Sequence, residues 1–160
     1  MHGFMIHAPV GLDFFEKIAK IRAMRRMWAS ISRGRFGSQQ PRSWRARFFV
    51  NTLASDLTRQ QPLNNIVRAT IESLAAALAG APSIEPCPYD ELLGIPTEEA
   101  ETIAIRTGQI LAHETGFEKV CDPLAGSYYV EWLTNRVEEE VMKIIHEVDE
   151  KGFLECLESG

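Results

Sequence analysis

One hundred and sixty residues amount to a single domain's worth of chain, and 45% apolar with 24% charged residues is the profile of a globular protein, not a disordered one. Eleven Gly and eight Pro exclude collagen-like and low-complexity readings, and no apolar run approaches the ~18 residues of a membrane span. The net charge of −5 conceals an asymmetry: residues 1–60 hold 11 Lys and Arg against 3 Asp and Glu, whereas residues 61–160 hold 6 against 19.

The opening MHGFMIHAPVGL has neither a charged leader nor a clear cleavage site, so no signal peptide is expected. Within it, FMIHAP (4–9) is a short apolar run stopped by Pro9 and Gly11 and reads as a buried strand. Asp13 is placed to cap a helix from Phe14 to Ser32, whose apolar stripe is Phe15, Ile18, Ile21, Met24 and Trp28. RGRFGSQQPRS (33–43) holds three breakers and is a loop; ARFFVNT (46–52) is rich in aromatic and β-branched residues and reads as a second strand. LNNIVRATIESLAAALAG (63–80) reads as a helix ended by Gly80. Its apolar residues Ile66, Val67, Ile71, Leu74, Ala75 and Leu78 cover more than one face, which predicts a well-buried helix. SIEPC (83–87) is a weak third strand, followed by the loop PYDELLGIP (88–96). Thr97 then caps a helix with Glu98, Glu99 and Glu101 in its first turn, where the helix dipole favours anions; it runs to Gly116. DPLAGSYY (122–129) is a turn. Val130, Leu133, Val137, Val141, Ile145 and Val148 mark a final amphipathic helix, ahead of Gly152 and an acidic tail.

Strands alternating with helices predict an α/β fold with parallel strands. Three parallel strands leave both sheet edges open, so the pattern fits a piece of a larger α/β barrel better than a complete fold. In such barrels functional groups gather on the loops after the strands, here Val10–Asp13, Asn51–Gln61 and Pro88–Pro96, with Asn51, Thr52, Ser55, Asp56, Tyr89, Asp90 and Glu91 as polar candidates. Asp90 and Glu91 are adjacent and their side chains diverge, so they read as a capping or turn pair and not as paired catalytic carboxylates. No GxSxG, P-loop or GxGxxG is present. His2, His7, His113 and His146 lack ligand spacing, and Cys87, Cys121 and Cys156 form no CxxC. No metal site is therefore expected, and the setting is reduced and cytoplasmic. The basic excess between Lys17 and Arg47 admits a phosphate-rich ligand, an acidic partner surface or a solvated helix face. Nucleic acid is disfavoured, since no zinc-finger, helix-turn-helix or RNP pattern accompanies it.

Several phrases carry more. DFFEKIAKIRAMRRMWA (13–29), LTRQQPLNNIVRATIESLAAALAG (57–80), YDELLGIPTEEAETIAIRT (89–107) and DPLAGSYYVEWLTNRVEEE (122–140) together resemble the large, acyl-CoA-binding subunit of methylmalonyl-CoA mutase and its relatives, from about Pro9 to Gly152. The resemblance implies a partial (β/α)8 TIM barrel over residues 1–152, followed by a tail at 153–160. The earlier strands and the cobalamin-binding domain have no counterpart here. It also implies an adenosylcobalamin-dependent radical isomerisation of an acyl-CoA, performed with the remaining barrel and a cobalamin-binding subunit and inactive without them. A non-enzymatic interaction module derived from the barrel is the alternative, and a second copy of the chain could cover the open edges.

Residue by residue, Glu91 matches the carboxylate that bonds the adenosyl ribose, and Leu92 and Gly94 match its small neighbours. Ala54 stands at a glycine that lies against the corrin. On the substrate side Asn51 stands at a Gln, Phe49 at a His, Pro82 at a Gln and Glu85 at a His. Phe49 cannot donate a hydrogen bond, and Pro82 has neither a side-chain amide nor a backbone N–H. The HETG at His113 has Leu111 where a cobalamin-ligating DxHxxG needs Asp, and Gly3, Phe4 and Met5 replace an Arg-Leu-Ser before the first strand. No residue is assigned a catalytic role.

Overall fold

A computed structural model describes residues 5–159; Gly3 and Phe4, the latter the first residue of the expected first strand, lie outside them. Three short strands, β1 (Ile6–His7), β2 (Phe48–Asn51) and β3 (Ile84–Glu85), form a parallel sheet in that order. Ile6 pairs with Phe48 and Val50 with Ile84. The pairing extends beyond the strands through Val10 N–H to Asn51 O at 2.9 Å and Thr52 N–H to Glu85 O at 3.1 Å. Among the described residues, α1 (Phe14–Gly34), α2 (Asn64–Leu78), α3 (Glu98–Glu114) and α4 (Tyr128–Lys151) follow the expected order, and a further, unexpected helix, α5 (Phe153–Ser159), comes after them. Helix α5 falls within the residues read as a tail. No described helix is long and apolar enough to cross a membrane.

Helices cover one face of the sheet. Ala8, Val10, Phe48 and Val50 meet Ile18 and Ile21 of α1, Ala75 and Ala76 of α2, Ala79 just beyond it and Val130 of α4 in one buried cluster. Alternation along β2 sends Phe48 and Val50 into this core and turns Phe49 and Asn51 to the other face, which no helix among the described residues covers. His7 and Glu85 share that bare face by register with Phe49 and Asn51.

Helix α2 departs from expectation. Its buried side is Asn65, Ala69, Glu72, Ser73, Ala75 and Ala76, while Val67 and Ile71 are 59% and 40% exposed. Small residues make up most of the fully buried side of α2, Leu78 packs against the core cluster from its margin, and Ile66 and Leu74 are half-buried. Gly80 ends the helix at φ +76°, with Ala81 N–H closing on Ala76 O at 3.0 Å. Arg25 supports that end by donating to Ala79 O at 2.5 Å. At the start of α1, Asp13 occupies the N-cap position but makes no side-chain cap. Thr97 does cap α3, accepting from Ala100 N–H at 3.3 Å. The stripe of α4 is as expected: Val130 is buried, and Leu133, Val137, Val141, Ile145 and Val148 are half-buried.

The charge asymmetry is satisfied inside the chain. Arg22 of α1 binds Asp122 and, at 2.6 Å, Glu131. Arg26 binds Glu138, and donates to Asn135 at 2.8 Å. Arg35 forks onto both oxygens of Asp149 at 2.6 and 2.7 Å. The acidic surface met by these arginines is thus mainly the chain's own α4, running parallel to α1. Gly126 N–H and Arg22 together hold the Glu131 carboxyl below its ordinary range. Arg22 is the pivotal member, with a side chain only 9% exposed between two carboxylates. Arg22→Ala should lower the thermal unfolding midpoint by about 5 °C, measured by circular dichroism. Arg35→Ala, on an exposed pair, should shift it by less than half as much; equal shifts would remove Arg22 from this role.

Candidate functional site at the strand ends

The bare face and the loops beyond it enclose two adjoining clefts. The first, about 460 Å³, lies at the C-terminal ends of the strands, and its lining includes His7, Asn51, Ala54, Glu85, Cys87 and Glu91. The second, about 790 Å³, opens between the β3 edge and α3, lined among others by Phe49, Pro82, Ile84, Leu111 and His113. Glu85, Pro86 and Glu101 border both.

The candidates from sequence divide between them. Asn51, Ala54 and Glu91 come together at the strand ends. Phe49 and Pro82 face the other cleft, and Phe49 stacks on His7 with ring centroids 4.9 Å apart. Leu92 and Gly94 line neither cleft; they sit on the 3-10 turn Glu91–Leu93 and just after it. That turn exposes Leu93 at 53% and Ile95 at 96%, an apolar tip beside Glu91. Gly94 has φ +152°, a backbone setting that disfavours any side chain.

Local chemistry fixes these positions. Asn51 ends β2 and donates its amide N–H to Glu85 across the strand pair. Thr52 follows, buried, with its hydroxyl accepting Cys87 N–H at 2.7 Å. The Cys87 thiol donates to Thr52 O at 3.0 Å. Asp90 behaves as the turn residue expected of it: its carboxylate accepts from Thr97 N–H at 3.1 Å and from the Thr97 hydroxyl at 2.8 Å. That clamp ties the start of α3 to the Glu91 turn and leaves Glu91 facing the pocket. Among the described residues Glu91 has no cationic partner, and its neighbour is the Cys87 thiol. Burial, with the facing Glu91 carboxylate, pushes that thiol up to about 12. The strand-end pocket is acidic, with Glu85, Glu91 and Glu101 in its lining and no Lys or Arg.

Two residues escaped the sequence reading. Cys87 was noted only for its spacing. Glu72 is wholly buried on α2 and accepts Leu53 N–H at 3.0 Å, directly behind the loop that carries Ala54. The spacing Asn65, Ala69, Glu72, Ala76, Ala79 traces one helix face and could have revealed it, but the large apolar residues elsewhere drew the assignment.

The chain matches the methylmalonyl-CoA mutase family over residues 4–160. Among curated proteins it is 46% identical, over 92% of its length, to the 2-hydroxyisobutanoyl-CoA mutase large subunit of Aquincola tertiaricarbonis. It is 40% identical over 94% to the methylmalonyl-CoA mutase of Escherichia coli, and 41% identical over 89% to the human mitochondrial enzyme. These alignments cover 26%, 21% and 19% of the respective relatives. The chain belongs to the methylmalonyl-CoA mutase family and spans about a quarter or less of those relatives' length.

The Cys87 environment is directly checkable. With its thiol near 12, the thiolate fraction at pH 8 is on the order of one in ten thousand. Mild alkylation with mass mapping should modify exposed Cys121 within minutes and leave Cys87 unmodified until the chain unfolds. Equal labelling rates would refute the raised thiol and the half-buried placement of Cys87.

Proposed function

We propose that this chain forms, as a fragment or a split subunit, the last three strands of an acyl-CoA mutase (β/α)8 barrel, completed by the remaining barrel and a cobalamin-binding domain. The observation that carries the reading is the helix-free sheet face: in a closed barrel the inward-facing side chains of parallel strands fill the interior. His7, Phe49, Asn51 and Glu85 are this chain's contribution to it. Family membership supports the same arrangement. The working setting is a reducing compartment such as the cytoplasm, consistent with three cysteines that form no disulfide among the described residues.

The strand-end residues fit the adenosyl part of adenosylcobalamin. Glu91 presents a pocket-facing carboxylate without a competing cation, and a carboxylate can accept both hydroxyls of a ribose. Ala54 adds only a methyl group to the pocket wall, and the exposed turn with Leu92 and Gly94 gives a broad ligand an apolar edge to cover. When bound, adenosylcobalamin supplies the radical through homolysis of its cobalt–carbon bond. The chain's own residues orient and enclose: Glu91 fixes the ribose, Asn51 faces the acyl group, and Phe49 and Pro82 wall the neighbouring cleft and exclude water.

The acyl group meets Asn51 and the carboxylates of Glu85 and Glu101 on this side of the barrel. These complement a hydroxyl donor and repel an anion, so the favoured substrate is an acyl-CoA without a free carboxylate on the acyl chain. The 2-hydroxyisobutanoyl-CoA mutase relative, by its name, acts on an acyl group of that kind.

Calorimetric titration with adenosylcobalamin, of the chain alone and mixed with candidate partner subunits that supply the remaining barrel and the cobalamin-binding domain, tests the reading. Binding should appear only in the mixture, and Glu91→Ala should weaken it about tenfold, the worth of one charge-assisted contact. The isolated chain should turn over no acyl-CoA. In the assembled enzyme a hydroxyacyl-CoA should bind at least tenfold more tightly than a carboxyacyl-CoA of equal length. No binding in any mixture, or an unaffected Glu91→Ala, would overturn the assignment.

A further inference from the structure

Two loops at the strand ends meet at one buried side chain. Asn65, in the first turn of α2, has no exposed surface. Its carboxamide oxygen accepts from Thr58 N–H at 3.0 Å and from Arg68 Nη1 at 2.8 Å. Its amide nitrogen donates to Thr58 O at 2.9 Å and to Tyr89 O at 2.8 Å. A carboxamide offers two N–H donors and two oxygen lone pairs, and here all four are used. The partners admit one orientation only, because a flipped amide would set N–H groups against N–H groups and oxygen against carbonyls. Aspartate would keep the acceptor half of this group and lose both donors.

The bonds reach from the helix to the pocket wall. Thr58 follows the turn after β2 that carries Ala54, and Asn65 holds both its backbone groups. Tyr89 stands two residues before Glu91 in the loop after β3. From Tyr89 the backbone enters the turn Glu91–Leu93, closed by Glu91 N–H to Pro88 O at 3.2 Å and Leu93 N–H to Asp90 O at 2.8 Å. The Asp90 carboxylate ties the same turn to Thr97. The turn that carries Glu91 is therefore anchored to two helices, to α2 through Asn65 and to α3 through Thr97. Helix α2 is the one seated in the core cluster, by Ala75 and Ala76.

We propose that Asn65 is a positioning residue for Glu91, acting through the Tyr89 carbonyl. The inference rests on the adenosyl-binding role proposed for Glu91 above. A carboxylate that accepts two ribose hydroxyls has to be held to within about 0.5 Å. The strand-end pocket presents no Lys or Arg to hold it, so its placement comes from the backbone beneath it. Asn65 fixes that backbone relative to the core, and the loss of its donors leaves the Tyr89 carbonyl without this partner and the turn with one anchor.

Nuclear magnetic resonance on the full chain tests the clamp without reference to the mutase reading. In the wild type the side-chain amide protons of Asn65 should exchange at least about tenfold more slowly than those of exposed Asn64, a loss of one buried hydrogen bond being worth that much. Residues 89–93 should show rigid-backbone order parameters of about 0.85. Exchange as fast as that of Asn64, or wild-type order parameters below about 0.6 at 89–93, would overturn the proposal whether or not any variant folds. Asn65→Asp and the shorter Asn65→Ser should shift the Glu91 and Leu93 amide signals and lower the order parameters of 89–93 to about 0.6. Arg68→Met, which leaves both donors of the amide in place, should keep them as in the wild type. A lower unfolding midpoint with residues 89–93 unchanged would make Asn65 a stabilising residue alone. Equal changes in Arg68→Met would assign the effect to a loosened helix start. Either result would overturn the positioning role.

The functional arm compares two cobalamins in the assembled complex. Asn65→Ser should weaken adenosylcobalamin about tenfold and leave hydroxocobalamin, which has no adenosyl group, near its wild-type affinity. Combined with Glu91→Ala it should cost nothing further. Equal losses for both cobalamins would overturn the action through Glu91. Absence of adenosylcobalamin binding by the wild type in every mixture would instead count against the mutase reading, while the amide measurements still decide the clamp.

Discussion

β2 is the one strand with a partner on each side, and the alternation of its side chains divides the molecule. Phe48 and Val50 anchor the core against α1 and α2. Phe49 and Asn51, one residue out of step, face the surface where chemistry is proposed. A one-residue slip of this strand would exchange the two sets, placing an amide in the core and a valine on the pocket side. Register is held by the pairings to β1 and β3 and by the buried carboxylate of Glu72 behind Leu53. The site therefore depends on the core, and the core on this short strand.

Surfaces that look surplus in the sequence have different fates in the fold. The basic block of α1 meets the acidic face of α4, and Arg25 caps α2 from the side. Val67 and Ile71 on the outer side of α2 and the tip residues Leu92, Leu93 and Ile95 stay exposed. The chain spans about a quarter or less of the length of the relatives it matches, and the barrel proposed above would cover this apolar surface.

The order of elements was legible because punctuation and periodicity agreed: Pro9, Gly80, Thr97 and Gly116 bracket segments whose apolar spacing switches between two and three or four. The inward face of α2 is only partly legible, because its fully buried residues are Ala, Ser, Asn and Glu, and of the large apolar residues only Leu78 packs against the core cluster. The missing Asp13 cap and the pairing of α1 with α4 depend on side-chain contacts up to 114 residues apart, which local patterns do not encode. Within the site, Glu91, Asn51 and Ala54 were located together by resemblance to the family. The separation of Phe49 and Pro82 into another cleft, the bond from Leu53 to Glu72 and those between Thr52 and Cys87 needed three dimensions.

The central proposal is that the bare sheet face is one side of a barrel interior that the remaining strands of the barrel complete. Hydrogen–deuterium exchange on this chain, alone and mixed with a chain supplying the earlier strands, tests it most directly. The account predicts new protection at both sheet edges, residues 5–9 and 83–87, with little change along α4, which is already packed against α1. Protection confined to the α1–α4 side, or none at either edge, would contradict it.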